Sequence, residues 1–318
     1  MRLCLRCGAG FSPPTTLTPS PSPKVRGEAL SADTAGEVSR AWRCPQCGFE
    51  PKLMAGFPAF APELAHSGEG YDPVHFSALA ELESRNFWFR ARNRLIVWAL
   101  GRYFPGARRF LEAGCGTGFV LTGITAAFPA LEMTGSEVAA EGLAFAARRA
   151  PSARLIQMDA RRIPFRGEFD VAGAFDVIEH IEDDRAVLRA LREALVPGGG
   201  LLLTVPQHPF LWSEYDVRAR HVRRYRAAEL RTKLAEAGFE IVKMTSFVSL
   251  LLPLMIVSRL VQRAPSAGYD PLAELRIGPW LNWLLEQALD FERLLIRAGI
   301  PLPAGGSLLV VARRRERL

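Results

Sequence analysis

The sequence predicts an α/β protein built on a doubly wound, seven-stranded sheet, with a small cysteine-rich unit at the N-terminus and a helical insertion before the last strand. Three observations carry this prediction. From Arg108 onward, short β-type apolar runs alternate with segments of helical periodicity, the pattern of strand–helix–strand units. The first such run, Phe110-Leu111, ends in Glu112, and glycines follow on alternate positions at Gly114, Gly116 and Gly118. Glycine accepts the positive φ of a tight strand-to-helix turn and lets a ligand lie against the backbone; the helix that follows presents free N–H groups. Ahead of all this stand two cysteine pairs, Cys4-x-x-Cys7 and Cys44-x-x-Cys47.

Each cysteine pair is followed by glycine, Gly8 and Gly48. Two tight turns, each aiming two thiolates at one ion, are what a tetrahedral Cys4 zinc site requires. The 36 residues between the pairs exceed the usual spacing. Much of the excess is the Ser/Thr/Pro run Ser12–Pro23, and lengthening a loop costs only logarithmically. The expectation is a zinc ribbon over residues 1–60, with a low-complexity insertion at about 12–40, and then a Pro/Gly-rich linker over 61–74. A redox pair is the competing reading, but no helix N-terminus is in sight to lower a thiol pKa.

Helices are expected at roughly 75–84 and 87–103, the second alternating aromatics and arginines from Phe87 to Trp98. Its plain reading is an amphipathic helix covering the sheet edge; a part in ligand binding, not assigned to any one residue, is the other. Leu131–Glu137 reads as the second strand and ends in an acid 23 residues after Gly114, ahead of a helix over Ala139–Ala150. A carboxylate in that position can accept both hydroxyls of a ribose, which makes Glu137 the expected ribose ligand. The alternative is an acid at a helix N-terminus. Arg154–Asp159 is the third strand and Glu168–Asp176 the fourth. A helix from about Asp183 to Val196 places Val187, Leu188, Leu191 and Leu195 on one face, and Pro197-Gly198-Gly199-Gly200 is expected to stop it. Leu201–Val205 is a buried fifth strand. A helix over Ala227–Ala237 ends at Gly238, and the sixth and seventh strands are Phe239–Thr245 and Ser307–Ala312.

The spacing of the glycine turn separates two kinds of nucleotide ligand. A dinucleotide turn needs Gly-x-Gly-x-x-Gly, but Gly118 comes one residue early and Phe119 stands in the third glycine's place. Glu112-x-Gly114-x-Gly116-x-Gly118 instead resembles the first motif of the class I S-adenosylmethionine-dependent methyltransferases, which have a Rossmann-like fold. Asp159-Ala160 ahead of Ile163-Pro164-Phe165, and the Pro-Gly-Gly turn before the fifth strand, are similar to further marks of that family. The resemblance covers about residues 75–318. It implies S-adenosylmethionine as cofactor, bound by Glu112, Gly114, Cys115, Gly116, Gly118, Glu137, Asp159, Ala160 and Asp176. Asp159 would accept the adenine amino proton, and the backbone N–H beside it would meet a ring nitrogen.

Asp176-x-x-Glu179-His180 resembles the Glu-x-x-Glu-His segment of the quinone-biosynthesis O-methyltransferases and the small-RNA 2′-O-methyltransferases. There the segment binds a divalent cation that positions the acceptor hydroxyl. Here Asp176 shortens the first ligand by one carbon, and His221, or else His208, is a candidate to complete the site. The metal-free alternative makes His180 the general base, with Glu179 orienting its ring. A structural histidine bonded to the backbone is the third reading. An Asn/Asp-Pro-Pro-Tyr segment is absent after the fourth strand, which argues for an oxygen or carbon acceptor. The implied function is O-methylation of a small-molecule, lipid-linked or saccharide acceptor. Alternatives are an rRNA or tRNA methyltransferase whose ribbon binds RNA, or a zinc-ribbon interaction protein that no longer turns over.

Composition bounds these readings. At 318 residues and 49% hydrophobic, the chain can form one large α/β domain with an appendage. The net charge of +7 is compatible with nucleic acid, but the basic residues are nearly all arginines scattered along the chain. With no signal peptide before Cys4, a cytoplasmic protein is expected, its cysteines held as thiols or metal ligands. Between the sixth and seventh strands, roughly 247–304, lie the apolar stretch Phe247–Val257 and a second segment rich in Trp and Leu, with arginines interspersed. A packed helical subdomain is the plain reading; peripheral membrane contact through 247–298, or a grip on a lipid-like acceptor, is the other.

Overall fold

A computed structural model describes residues 1–12, 42–65, 75–261 and 275–316. The low-complexity insertion, apart from its first residue, and most of the 61–74 linker lie outside the described residues. The strands are β1 (Arg2–Leu3), β2 (Gly10–Phe11), β3 (Lys52–Met54), β4 (Phe57–Ala59), β5 (Arg109–Ala113), β6 (Glu132–Glu137), β7 (Arg154–Gln157), β8 (Phe169–Phe175), β9 (Leu195–Pro206), β10 (Phe239–Phe247) and β11 (Ser307–Arg314). The α-helices are α1 (Phe76–Glu83), α2 (Phe87–Tyr103), α3 (Phe119–Ala127), α4 (Ala140–Arg149), α5 (Asp184–Ala194), α6 (Glu214–Arg218), α7 (Ala227–Glu236), α8 (Leu252–Val261) and α9 (Pro279–Arg297).

The main sheet runs β10-β11-β9-β8-β5-β6-β7-β4-β3. Its central strands are parallel, and β11 lies antiparallel between β9 and β10. Strands covered on both faces must be apolar throughout, and Phe110, Leu111, Leu201, Leu202 and Leu203 are fully buried. One face packs on α2, α3, α4 and α9, the other on α5 and α7. Chain order reverses between β5 and β8, and ligands of open α/β sheets bind outside the strand ends at such a point.

The sheet has nine strands among the described residues, against the seven expected. The additional pair comes from the segment read as ribbon and linker. Ala55 and Gly56 both take positive φ, the geometry of a two-residue hairpin, and join β3 to β4. β4 then adds to the edge through Ala59 opposite Gln157. The fully buried Gln157 amide fixes the join, accepting from the Ala61 N–H at 3.0 Å and donating to the Ala61 carbonyl at 2.7 Å. Pro58 and Gly56 suggest a linker by composition, yet neither needs to supply a ladder donor here. A second difference concerns Pro197–Gly200, expected to end a helix ahead of a strand at Leu201. β9 already begins at Leu195 and carries the glycines within it. A side chain at Gly200 would overlap the Phe104 ring, so the strand crosses α2 only because that position is bare.

The N-terminal unit is fastened to the sheet. The Leu3 N–H donates to the Pro164 carbonyl at 2.9 Å, and the Arg166 N–H donates to the Met1 carbonyl at 2.8 Å. The Arg2 guanidinium lies 4.0 Å from the centroid of the Trp42 ring, which itself packs edge-on against Phe60 and Phe165. At the other end of the domain, Asn86 caps α2 by accepting from the Trp88 N–H at 2.9 Å. Its amide donates to the Leu275 carbonyl at 2.9 Å, while Asn282 on α9 accepts from the Phe87 N–H at 2.8 Å. The insertion and the start of α2 are therefore locked together.

Candidate active site

A cavity of about 1020 Å³ opens at the ends of β5, β6, β7 and β8. Its floor is the glycine turn. Gly114, Gly116 and Gly118 have φ of 72°, 51° and 80°, the left-handed region that β-carbons disfavour. At Gly118 an added Cβ would fall 2.7 Å from the Ala146 Cα on α4, so the turn rests directly on helix backbone. Cys115 borders the cavity, but its side chain points into the core against Gly135, and burial raises its thiol pKa. Only its backbone faces a ligand; a side-chain role for Cys115 does not fit.

Acids surround the turn. Glu137 accepts from the Gly116 N–H at 2.9 Å and from the Val138 and Ala139 N–H groups at 2.8 and 3.2 Å, although burial raises its carboxyl pKa. Glu83 on α1 accepts from Thr117 and Arg149, which clamps the turn to two helices. Glu112 differs. It is buried, one carboxylate oxygen has no partner among the described residues, and burial pushes its pKa well above the ordinary carboxylate range. An acid placed so in a cavity wall fits a cationic ligand.

Asp159 follows β7 and lines the cavity with Ala160. Its carboxylate is held by Arg161, whose Nε lies 2.9 Å from both oxygens. Asp176, at the end of β8 with φ 57°, accepts from Thr204 Oγ1 at 3.0 Å and forms a half-buried ion pair with Arg92. Arg92 in turn lies 4.5 Å from the centroid of the Trp88 ring. The sequence reading left Arg92 without a role, since the aromatic–arginine alternation of α2 has the same period whether it faces solvent or ligand. Phe87, Trp88 and Arg92 all line the cavity.

Beyond Asp176, Glu179, His180 and His221 each offer one ligand atom within 4.8 Å of the others. Asp176, expected among them, is instead occupied by Arg92 and Thr204, and His208 is not in the group either. Both Glu179 carboxylate oxygens are buried without a partner among the described residues, and so is His180 Nδ1. Burial, with Asp176 nearby, drives the Glu179 pKa well above the ordinary range. Burial and the neighbouring His221 ring lower His180 to about 3, so its ring stays neutral. His221 Nδ1 sits 2.8 Å from Asp216 Oδ1, which favours the tautomer that leaves Nε2 free. Burial alone would raise Asp216, but the bond to His221 and the Arg224 guanidinium outweigh it and hold the carboxyl at about 2. A carboxylate behind a histidine is the usual support for a metal ligand, and the donor set fits a divalent cation.

At the N-terminus the two knuckles are near-copies. The Gly8 N–H donates to the Cys4 carbonyl at 2.8 Å and the Gly48 N–H to the Cys44 carbonyl at 2.9 Å. Cys4 and Cys47 Sγ are 3.5 Å apart, Cys7 and Cys44 Sγ 3.7 Å, and all four sulfurs lie within 4.8 Å of one another.

A family model for a methyltransferase domain matches residues 80–244, just over half of the chain, and the chain belongs to that family. It is an S-adenosylmethionine-dependent methyltransferase. A Mycobacterium tuberculosis protein described as a "Probable S-adenosylmethionine-dependent methyltransferase" is 27% identical over 197 residues, 57% of this chain and 70% of the relative. A ubiquinone biosynthesis O-methyltransferase of Caulobacter sp. is 29% identical over 169 residues, 50% of this chain and 64% of the relative. Among solved structures, the [4+2]-cyclase SpnF superposes with a TM-score of 0.54 at 21% identity, covering 81% of this chain and 97% of its own. That likeness is one of fold alone.

Proposed function

We propose that the enzyme methylates a hydroxyl on an apolar small-molecule or lipid-linked acceptor. One observation carries this reading: the cavity extends from the glycine turn past Glu179 and His180 to an apolar wall formed by Leu251 and Met255 near α8 and Leu285 on α9. S-adenosylmethionine supplies the methyl group. Glu112 would face its positive charge, Glu137 would hold its ribose, and Asp159 with Ala160 would hold its adenine. Placement of the acceptor oxygen in line with the methyl supplies much of the acceleration.

Near that oxygen, Glu179, His180 and His221 are the residues that would hold a divalent cation, which lowers the pKa of a bound hydroxyl. The two bare oxygens of Glu179 favour this over His180 acting by itself, because a ring held near pKa 3 is a weak base at neutral pH. Cys4, Cys7, Cys44 and Cys47 would hold one Zn²⁺ as a structural site.

The test is incubation with methyl-labelled cofactor and an extract separated into lipid, small-molecule, saccharide, RNA and protein pools. Label in the lipid or small-molecule pool, lost in Glu179→Gln and His180→Ala, is the expected result. Label in RNA or saccharide would refute the acceptor class. Full turnover in His180→Ala would remove its functional role.

A further inference from the structure

The insertion turns an apolar face to solvent. Leu254, Val257 and Leu260 on α8 and Trp280, Trp283 and Phe291 on α9 are exposed, the two tryptophans by 72% and 57%. Two tryptophans this exposed within one apolar face call for a specific environment, since contiguous apolar patches mark interaction sites.

Charge identifies that environment. The acids of the insertion among the described residues are Glu286, Asp290 and Glu292, and all three turn inward. Glu286 pairs with Arg90 and Arg94, Asp290 with Arg94 at 3.0 Å, and Glu292 accepts from the Ser249 and Leu250 N–H groups at 2.6 and 2.9 Å. Among the described residues of α8, α9 and their flanks, the outward charges are basic: Arg276 just before α9 and Arg297 at its end are both exposed. An apolar helix face with tryptophans, bordered by arginines and free of outward acids among the described residues, has the composition of a helix that lies in an anionic membrane interface.

Geometry links the face to the reaction. Leu254 and Leu281 are exposed and also line the active-site cavity. The outer apolar face and the cavity wall are therefore continuous across α8 and α9. We propose that this face docks on an anionic bilayer and that an apolar acceptor passes from the bilayer into the cavity between the two helices. The docking stands on the exposed face; the acceptor's route rests on the apolar-acceptor reading above.

Vesicle sedimentation at moderate salt tests it, using phosphatidylcholine with and without phosphatidylglycerol and the full chain. Wild type is expected to partition onto the anionic vesicles, less so as salt rises. Trp280→Ser/Trp283→Ser should bind at least about tenfold more weakly while keeping wild-type melting and cofactor affinity, because both side chains are exposed. No binding by wild type, equal binding to neutral vesicles, or equal binding by the double variant would overturn the proposal. So would a dimer that the double variant dissolves in the absence of vesicle binding, which would assign the face to a second copy. If vesicles bind but label enters only a water-soluble pool, the docking stands and the apolar acceptor falls.

Discussion

Replacing Gly118 by Ala isolates what the glycine turn contributes. With φ at 80°, a β-carbon there costs about 1–2 kcal/mol in backbone strain. It would also sit 2.7 Å from the Ala146 Cα and 2.9 Å from its Cβ. Those atoms belong to α4, whose Leu143 and Ala146 are fully buried, so the helix must shift as a body. Overpacking of that kind adds about 1–3 kcal/mol. A total near 3 kcal/mol lowers the melting temperature of a 318-residue chain by roughly 4–6 °C. Gly114→Ala is the control. Its φ is similar, 72°, but the added carbon meets only the Val177 side chain at 2.6 Å, which can rotate away into the cavity. Calorimetric melting of both ligand-free variants should show Gly118→Ala the less stable, with Gly114→Ala losing mainly cofactor affinity by titration. If Gly118→Ala melts within about 2 °C of wild type, or above Gly114→Ala, the packing argument is wrong.

Other outcomes follow from the same geometry. Cys44→Ser should abolish a stoichiometric zinc content read by mass spectrometry. It should also weaken cofactor binding by roughly tenfold, the weight of one or two hydrogen bonds, because Leu3 and Met1 hold the Pro164–Arg166 segment that follows Asp159. Affinity for S-adenosylmethionine should rise as pH increases through a range above that of an ordinary carboxylate: a sulfonium favours the ionised form of Glu112, whose pKa burial has raised, so binding releases a proton. S-adenosylhomocysteine, without the sulfonium charge, should show a shallower slope, and Glu112→Gln should erase the difference. Arg92→Ala leaves the half-buried Asp176 without its cation and should cost about 2 kcal/mol by urea denaturation. Arg92→Ala/Asp176→Asn should recover part of that loss.

The parallel sheet, α2 to within a residue and the glycine turn were legible because each is written in local pattern: apolar runs, helical period, positions that need positive φ. Edge strands β3 and β4 were not. Three residues each, β4 with a proline inside, they have no period to read, and their place depends on Gln157 almost a hundred residues later. Pro197–Gly200 misled for the opposite reason. Its local chemistry is that of a helix stop, and the space under Phe104 that makes it strand exists only after α2 has packed.

The site shows the same division more sharply. In the sequence, Glu112, Glu137, Asp159, Asp176 and Glu179 are each an acid near the end of a strand, and motif position alone gives them their different roles. Their environments separate them. Asp176 is satisfied by Arg92, 84 residues away in sequence; Asp159 is held by Arg161; Glu137 is surrounded by backbone amides. Glu112 and Glu179 keep buried oxygens without a partner among the described residues. A buried carboxylate with no partner is destabilising unless protonated or paired. Both line the cavity, where ligands of opposite charge can reach them. Of these five acids, the two with bare buried oxygens among the described residues are therefore the two that could take cations, as the proposed function requires of them.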